Sequence, residues 1–325
     1  MDLQAIYHLL RADLAAVDAL IQAQLHSTVP LIKQLSDHII HSGGKRLRPM
    51  VALLSARSLQ GPPQAAITVA VWIELIHTAT LLHDDVVDAS EKRRGKATAH
   101  TLFGNAASIL VGDFIYTRAF QLMMELQSLP LLQLMAKTTN KIAEGEVLQL
   151  TRYHDAAITE ADYWQIIDYK TASLFAAAAQ SGALLTDTPG TAQPTLKAYG
   201  YQLGRAFQLV DDWLDYQAQH PTFGKNVGDD LQEGKLTLPL LHALQQAPAA
   251  QSALIRQAIE QKNGREFLST VLAVMQHCGS LDYVQQCAEA AIAKAIESLH
   301  GLPVTPYRQA LASLASSVLQ PLYHE

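Results

Sequence analysis

Asp84, Asp85 and Asp88 close a long apolar run, Ala66 to Leu82, interrupted only by Glu74, His77 and a few hydroxyls. On a helix Asp84 and Asp88 lie one above the other, with Asp85 beside them. Carboxylates about 4 Å apart repel by roughly 4 kcal/mol at an effective dielectric near 20. Either a cation sits among them or their pKa values rise. A hydrated helix end would account for one such triad. Asp211, Asp212 and Asp215 repeat the spacing, however, after a second apolar lead-in through Leu203, Phe207, Leu209 and Val210. Two triads facing each other make a cage of hard oxygen ligands. Such a cage suits Mg²⁺ or Mn²⁺, completed by water and phosphate oxygens.

Cationic side chains recur at separated places. In Ser42-Gly43-Gly44-Lys45-Arg46-Leu47-Arg48-Pro49 the paired glycines bring the backbone near a ligand, and Lys45 and Arg48 suit phosphate oxygens. His77 lies on the Asp84 face two turns deeper. Glu91 to Lys96 is a basic loop containing Arg93 and Arg94, placed to grip a diphosphate rather than only to be solvated. Lys170, beside Thr171, stands in an otherwise apolar helix and needs a partner. Gln208 precedes the second triad by one turn. A loop from Phe223 to Asp230, followed by Gly234-Lys235, places Lys225 and Lys235 on a flap over anionic groups. There is no Gly-rich P-loop followed by Lys-Ser/Thr, so nucleotide hydrolysis is disfavoured, and there is no obvious Ser-His-Asp arrangement. Metals clamped on a diphosphate make it a good leaving group. Departure from an allylic carbon leaves a stabilised carbocation, and the apolar helix below the triad would wall a hydrocarbon pocket.

Helices must position these groups. Helical periodicity runs over residues 1 to 28, then to His41, from Pro63 to Asp88, and over 104–127 and 130–151. Thr159-x-x-Asp162 opens another helix like a capping box and runs on to Gly182. The second triad ends a helix from Pro194 to Ala218, and helices with polar breaks follow from Thr237. With 49% hydrophobic residues, 6% aromatic and no linker composition, the 325 residues read as one all-helical domain, 1–325. The start, Met1-Asp2-Leu3-Gln4, does not resemble a signal peptide. No uninterrupted apolar stretch is long enough for a membrane span. Cys278 and Cys287 have no metal-ligand spacing, so a reducing, cytoplasmic setting is expected. A net charge of −6 argues against nucleic acid as a partner.

Taken together, Gly43-Gly44-Lys45-Arg46-Leu47-Arg48-Pro49, Asp84-Asp85-x-x-Asp88, Arg93-Arg94, Lys170-Thr171, Gln208-x-x-Asp211-Asp212-x-x-Asp215 and Gly224 to Leu231 resemble the trans-isoprenyl diphosphate synthases. Thr78 to Asp88 and Ala143 to Leu150 are similar to the octaprenyl-making bacterial branch. The resemblance implies an all-α bundle of the isoprenoid synthase type with a central cavity, and a homodimer. It implies about two or three Mg²⁺ ions per site, or Mn²⁺, held by the six aspartates. Lys45, Arg48, His77 and Arg94 would hold isopentenyl diphosphate. Arg93, Lys170, Thr171, Gln208, Lys225 and Lys235 would hold the allylic substrate, farnesyl diphosphate, or shield its carbocation. Lys170, Thr171, Gln208 and Lys225 would be the catalytic set.

The reaction implied is head-to-tail condensation supplying a quinone side chain. Short-chain relatives carry bulky aromatics where Ala79 and Thr80 stand. With Ile76 and Ile73 continuing down the helix, an open path for a long product is expected. Leu236 replaces the proline usual after Gly-Lys in close relatives, and Leu322 to Glu325 carries no basic tail. Rival readings fit less well. A terpene cyclase would not need a second full triad or the Lys45/Arg48 site, and a non-catalytic subunit would lose parts of the triads. An HD-type phosphohydrolase needs supporting His and Asp residues beyond His83-Asp84, and a scaffold bundle explains none of the charges. A shorter-chain synthase is the nearest alternative.

Overall fold

A computed structural model of the chain describes residues 1–42, 44–93, 95–186, 190–217 and 227–322. Near the N-terminus α1 (Leu3–Leu9) and α2 (Arg11–Leu25) replace the single helix expected over 1–28. Leu10 leaves helical dihedrals between them, at φ −100° and ψ 7°. The break lets Ile6 and Leu10 on one side, and Val17, Ile21 and Leu25 on the other, all reach the core. The helices α3 (Pro30–Ser42) and α4 (Leu47–Ser58) follow, the second buried almost throughout.

The first triad ends α5 (Pro63–Val87). Pro63 suits the first turn, where its missing N–H would have had no helical partner. Trp72, Ile73, Leu75 and Ile76 are fully buried, so the helix is apolar on every side because it runs through the core. Its length and composition would also pass for a membrane span, but 72% of its most apolar window is buried inside the fold. Burial accounts for the composition.

The basic loop expected after the triad is instead a minimal hairpin, β1 (Lys92–Arg93) against β2 (Lys96–Ala97). Gly95 turns it, at a φ of 77° that a side chain would resist. The hairpin returns Arg93 to the end of α5.

Helices α6 (Ala99–Phe103), α7 (Asn105–Met124) and α8 (Leu129–Thr151) come next, and α7 lies along α5. The capping box opens α9 (Glu160–Ile167): the Asp162 N–H donates to Thr159 Oγ1 at 3.2 Å, and the Thr159 N–H donates to Asp162 Oδ2 at 2.9 Å. A π-helical turn, Asp168–Ala172, then leads into α10 (Ser173–Leu184). Such turns are rare and concentrate at functional sites. This one carries Lys170 and Thr171.

The second triad ends α11 (Ala192–Leu214), and α10 packs on both triad helices. A Cβ on Gly204 would lie 2.6 Å from Ala172 Cα, so α11 meets the π turn backbone to backbone. The remainder is α12 (Asp229–Glu233), α13 (Leu238–Gln246), α14 (Ala249–Glu260), α15 (Gly264–His277), α16 (Ser280–Ser298) and α17 (Pro306–Val318). Leu236 is a core residue, and α13 begins after it with Thr237 as N-cap and Pro239 in the first turn. The departure from proline is absorbed by packing.

Candidate active site

Both triads sit at the C-terminal ends of their helices, with Asp88 and Asp215 as the C-caps. Carboxylates there oppose the helix dipole, at about 0.3–1 kcal/mol each, in addition to repelling one another. A cation answers each aspartate of the first triad. Lys170 Nζ stands 3.5 Å from Asp84 Oδ2. Arg93 donates Nε and Nη2 to Asp85 Oδ1, each at 2.8 Å. Lys235 Nζ donates to Asp88 Oδ2 at 2.7 Å, and the Tyr153 hydroxyl to Oδ1 at 2.8 Å. Burial raises both the Asp85 and Asp88 carboxyls. For Asp88 burial is the largest influence, but Lys235, Lys170 and the Tyr153 hydroxyl together outweigh it and the net shift is downward, whereas for Asp85 burial wins over Arg93.

The second triad is sorted in the same way. Asp211 is exposed, while Asp212 and Asp215 are buried. Asp212 accepts the Tyr163 hydroxyl at 2.6 Å and Gln208 Nε2 at 2.8 Å. Asp215 Oδ2 accepts the Asp230 N–H at 3.1 Å, and its carbonyl accepts the Gly228 N–H at 2.8 Å. Asp85 and Asp212, the middle members, are the most deeply buried of their triads, at 4% and 2% exposure.

Burial, with the nearby charges of Asp230 and Asp211, pushes the Asp212 carboxyl up to about 8. The unfolded value is about 3.9. For a raised group, the stability contribution is full below the unfolded pKa and is lost as pH rises through the folded one. In metal-free protein, Asp212→Asn is therefore expected to gain Tm over wild type progressively from about pH 4 to about pH 8, then hold a constant lead. Thermal melts across that range check it, and a difference independent of pH would refute an ionisable buried Asp212.

Arg93 ties the triads together. Burial works against its charge, but Asp85, then Asp84, then Asp211 on the second triad hold its pKa above the ordinary value. One guanidinium thus lies in the field of both acidic ends. Lys170 is likewise held charged, against burial, by Asp84 and Glu146. Thr171 Oγ1 donates to Gln208 Oε1 at 2.8 Å, linking the π turn through Gln208 to Asp212.

On the other side, Arg48 Nη1 is 3.3 Å from His77 Nε2, and its guanidinium stacks 4.3 Å from the Phe175 ring centroid. A cavity of about 90 Å³ is lined by His77, Asp85 and Arg93, so His77, of the residues expected at the second anionic site, shares a cavity with the first triad. Lys45 is exposed, with its carbonyl accepting the Tyr7 hydroxyl at 2.7 Å. Arg46 between them turns inward to Glu74 at 2.5 Å. A larger cavity of about 510 Å³ lies at α16 and α17, and no triad residue lines it.

Ile73, Ile76 and Ala79 are fully buried in packed core; of the four residues expected to line a tail path, Thr80 alone is half-buried. Arg94 and Lys225 lie outside the described residues.

Sequence reasoning missed a contribution from α8. Glu146 Oε2 accepts Lys170 Nζ at 2.6 Å and Gln149 Oε1 accepts it at 2.9 Å. Burial pushes the Glu146 carboxyl up to about 7; Lys170 opposes the shift, while Asp84 and Asp88 add to it. A Cβ on Gly145 would lie 2.8 Å from the backbone nitrogen of Lys170, so α8 abuts the π turn directly. The i, i+3 spacing of Glu146 and Gln149 was the available signal.

Among the described residues, no three His, Cys, Asp or Glu side chains converge closely enough to hold a metal unaided. The least buried carboxylates of the two triads are Asp84, Asp88 and Asp211, hard oxygen ligands of the kind that share a divalent ion with water and phosphate oxygens. That donor set fits Mg²⁺.

Comparison with known proteins places the geometry. The polyprenyl synthetase family model matches residues 29–300. Octaprenyl diphosphate synthase of Escherichia coli (strain K12) is 54% identical over 320 residues, covering 98% of this chain and 99% of that one. A polyprenyl synthase from Caulobacter crescentus CB15, solved with calcium and isoprenyl diphosphate, superposes with a TM-score of 0.94 at 41% identity, over 98% of this chain and 97% of its own. A decaprenyl diphosphate synthase from Rhodobacter capsulatus superposes at 0.92, also with 41% identity and 98% coverage of each chain.

Proposed function

The chain belongs to the polyprenyl synthetase family of prenyltransferases, and on that premise we propose that it is a long-chain all-trans polyprenyl diphosphate synthase making the octaprenyl product. It joins isopentenyl diphosphate head to tail onto an allylic diphosphate, farnesyl diphosphate as primer, and supplies a quinone side chain. It acts as a single helical domain, homodimeric and cytoplasmic. The observation that carries the reading is the set of three cations converging on the first triad, Arg93 on Asp85, Lys170 beside Asp84 and Lys235 on Asp88.

Asp84, Asp88 and Asp211 would hold Mg²⁺, about two or three ions per site, with Mn²⁺ able to substitute. Bound there, the metal neutralises charge on the departing diphosphate. The remaining chemistry belongs to the side chains. Lys170 and Lys235 turn from Asp84 and Asp88 to the diphosphate oxygens, which frees those two carboxylates for the divalent ions that would arrive with the substrate, while Arg93 keeps its hold on Asp85. Lys225 is assigned to the same diphosphate by the family resemblance of its motif. Once the carbon–oxygen bond breaks, the positive charge on the allylic carbons faces the oxygens of Thr171 and Gln208, whose mutual hydrogen bond holds both dipoles still.

Arg48 and His77, with Lys45 and Arg94, hold isopentenyl diphosphate so that its double bond faces the cation. Its π electrons form the new carbon–carbon bond, and the adduct loses a proton to the departed diphosphate. Asp85, Asp212 and Asp215 support the site from inside: they orient Arg93, Gln208 and the Gly228–Asp230 turn.

Labelled isopentenyl diphosphate, farnesyl diphosphate and Mg²⁺, with products resolved by length after dephosphorylation, test this reading. An octaprenyl end point is expected. Products stopping at three or four isoprene units would keep the chemistry and sink the chain length, and no metal-dependent elongation would sink both.

A further inference from the structure

Tyr153 belongs to none of the motifs, yet its hydroxyl reaches the first triad across the fold, donating to Asp88 Oδ1 at 2.8 Å. The other oxygen of that carboxylate accepts Lys235 Nζ at 2.7 Å, and the ammonium lies 5.7 Å from the Tyr153 ring centroid. The turn that presents Tyr153 is fastened to the segment that presents Lys235. The His154 N–H donates to the Gly234 carbonyl at 2.9 Å. His154 Nδ1 lies 3.1 Å from the Ile259 carbonyl. Gly234 has a φ of 76°, and a Cβ there would run into the His154 ring, so the two turns meet with no room for a side chain.

The far end of the Lys235 segment is fixed to the second triad. The Lys235 N–H donates to the Asp230 carbonyl at 2.8 Å, and the Asp230 and Gly228 N–H groups donate to Asp215. Gly228 to Lys235 is therefore a strap running from the last aspartate of one triad to the last aspartate of the other. Tyr153 and His154 clamp it at the Asp88 end.

We propose that Tyr153 is a positioning residue for the allylic diphosphate end of the site, holding one oxygen of Asp88 so that the carboxylate keeps its orientation when Lys235 leaves it for an arriving diphosphate. Two features set this role apart from packing. The phenol and the ammonium occupy different oxygens of the same carboxylate, so the departure of one does not displace the other. The ring face also gives the ammonium a second favourable surface beside Asp88. Donors that orient a metal-binding carboxylate are typically worth about 10–100-fold in affinity. The proposal rests on the functional reading above, in taking a metal diphosphate as the ligand at Asp88.

Calorimetric titration of inorganic diphosphate into the full chain, with and without Mg²⁺, tests it on wild type, Tyr153→Phe and Tyr153→Leu. Tyr153→Phe, which keeps the ring, is expected to weaken the Mg²⁺-dependent binding about tenfold. Tyr153→Leu, which removes the ring as well, is expected to weaken it further. Affinity for isopentenyl diphosphate, measured without metal, should not move. Titrations run below each variant's melting transition, with occupancy read per folded chain from Mn²⁺ electron paramagnetic resonance, keep a destabilised variant informative. Equal diphosphate affinity in wild type and both variants overturns the proposal. So does a parallel loss of isopentenyl diphosphate binding, which marks a general structural role. Absence of any Mg²⁺-dependent diphosphate binding by wild type overturns the functional reading itself.

Discussion

Asp84→Asn is expected to lower the elongation rate about 10³-fold while leaving the fold intact or slightly more stable. Asparagine has nearly the same shape, so packing at the end of α5 is unchanged. Lys170 loses a partner at 3.5 Å but retains Glu146 at 2.6 Å and Gln149 at 2.9 Å, so no buried ammonium is orphaned. The substitution also removes one of three carboxylates from a helix C-terminus, where each is unfavourable by about 0.3–1 kcal/mol. Function and stability should therefore move in opposite directions, as expected where a site holds charge for a ligand rather than for the fold. Steady-state elongation at saturating Mg²⁺, together with Tm of the metal-free protein, reads both. A rate within tenfold of wild type would remove Asp84 from the proposed metal ligands. Asp212→Asn, at a carboxyl already engaged by Tyr163 and Gln208, should cost far less rate than Asp84→Asn.

The second large effect is on product length. Thr80 stands one helical turn below Asp84, half-buried, with its hydroxyl returned to the His77 carbonyl at 2.8 Å. That bond is local to the helix, so losing it strands little. Thr80→Phe places a phenyl ring on the side along which a tail leaving the triad would run. Products are expected to shorten from octaprenyl to about three or four isoprene units, with the first condensation retained. Chromatography of the dephosphorylated products checks it, and an unchanged octaprenyl end point would show that the tail does not pass Thr80. Ala79, Ile76 and Ile73 make poorer probes. All three are fully buried, and an enlarged side chain there would overpack the core at about 1–3 kcal/mol before it blocked anything.

Much of the architecture is written locally. A 3.6-residue apolar period, a proline at Pro63 and the Thr159/Asp162 capping pair each act within a few residues, so the helices and several of their ends follow from sequence alone. The same holds for the acidic triads. An aspartate repeat directly after an apolar helix must emerge at that helix's end, whatever the tertiary fold. The break at Leu10 and the hairpin at Lys92 to Ala97 were not legible, because both depend on what the neighbouring chain offers to bury or to pair.

The order of residues specifies the chemical inventory: two oxygen-rich triads, the cations set apart from them, and the helices that carry each group. Tertiary structure alone decided how these meet. Asp85 and Asp212 look equivalent to their neighbours in the chain, but the fold buries them beside Arg93 and Tyr163, partners that lie on other elements. Tyr153 reaches Asp88 from 65 residues away, and Lys235 reaches it from 147. Glu146 and Gln149 meet Lys170 only because Gly145 lets α8 lie against the π turn. Periodicity specifies which face of a helix is apolar, but not which other helix will cover it. Partners on different helices are chosen by packing of the whole chain, and their electrostatics exist only once that packing has excluded water.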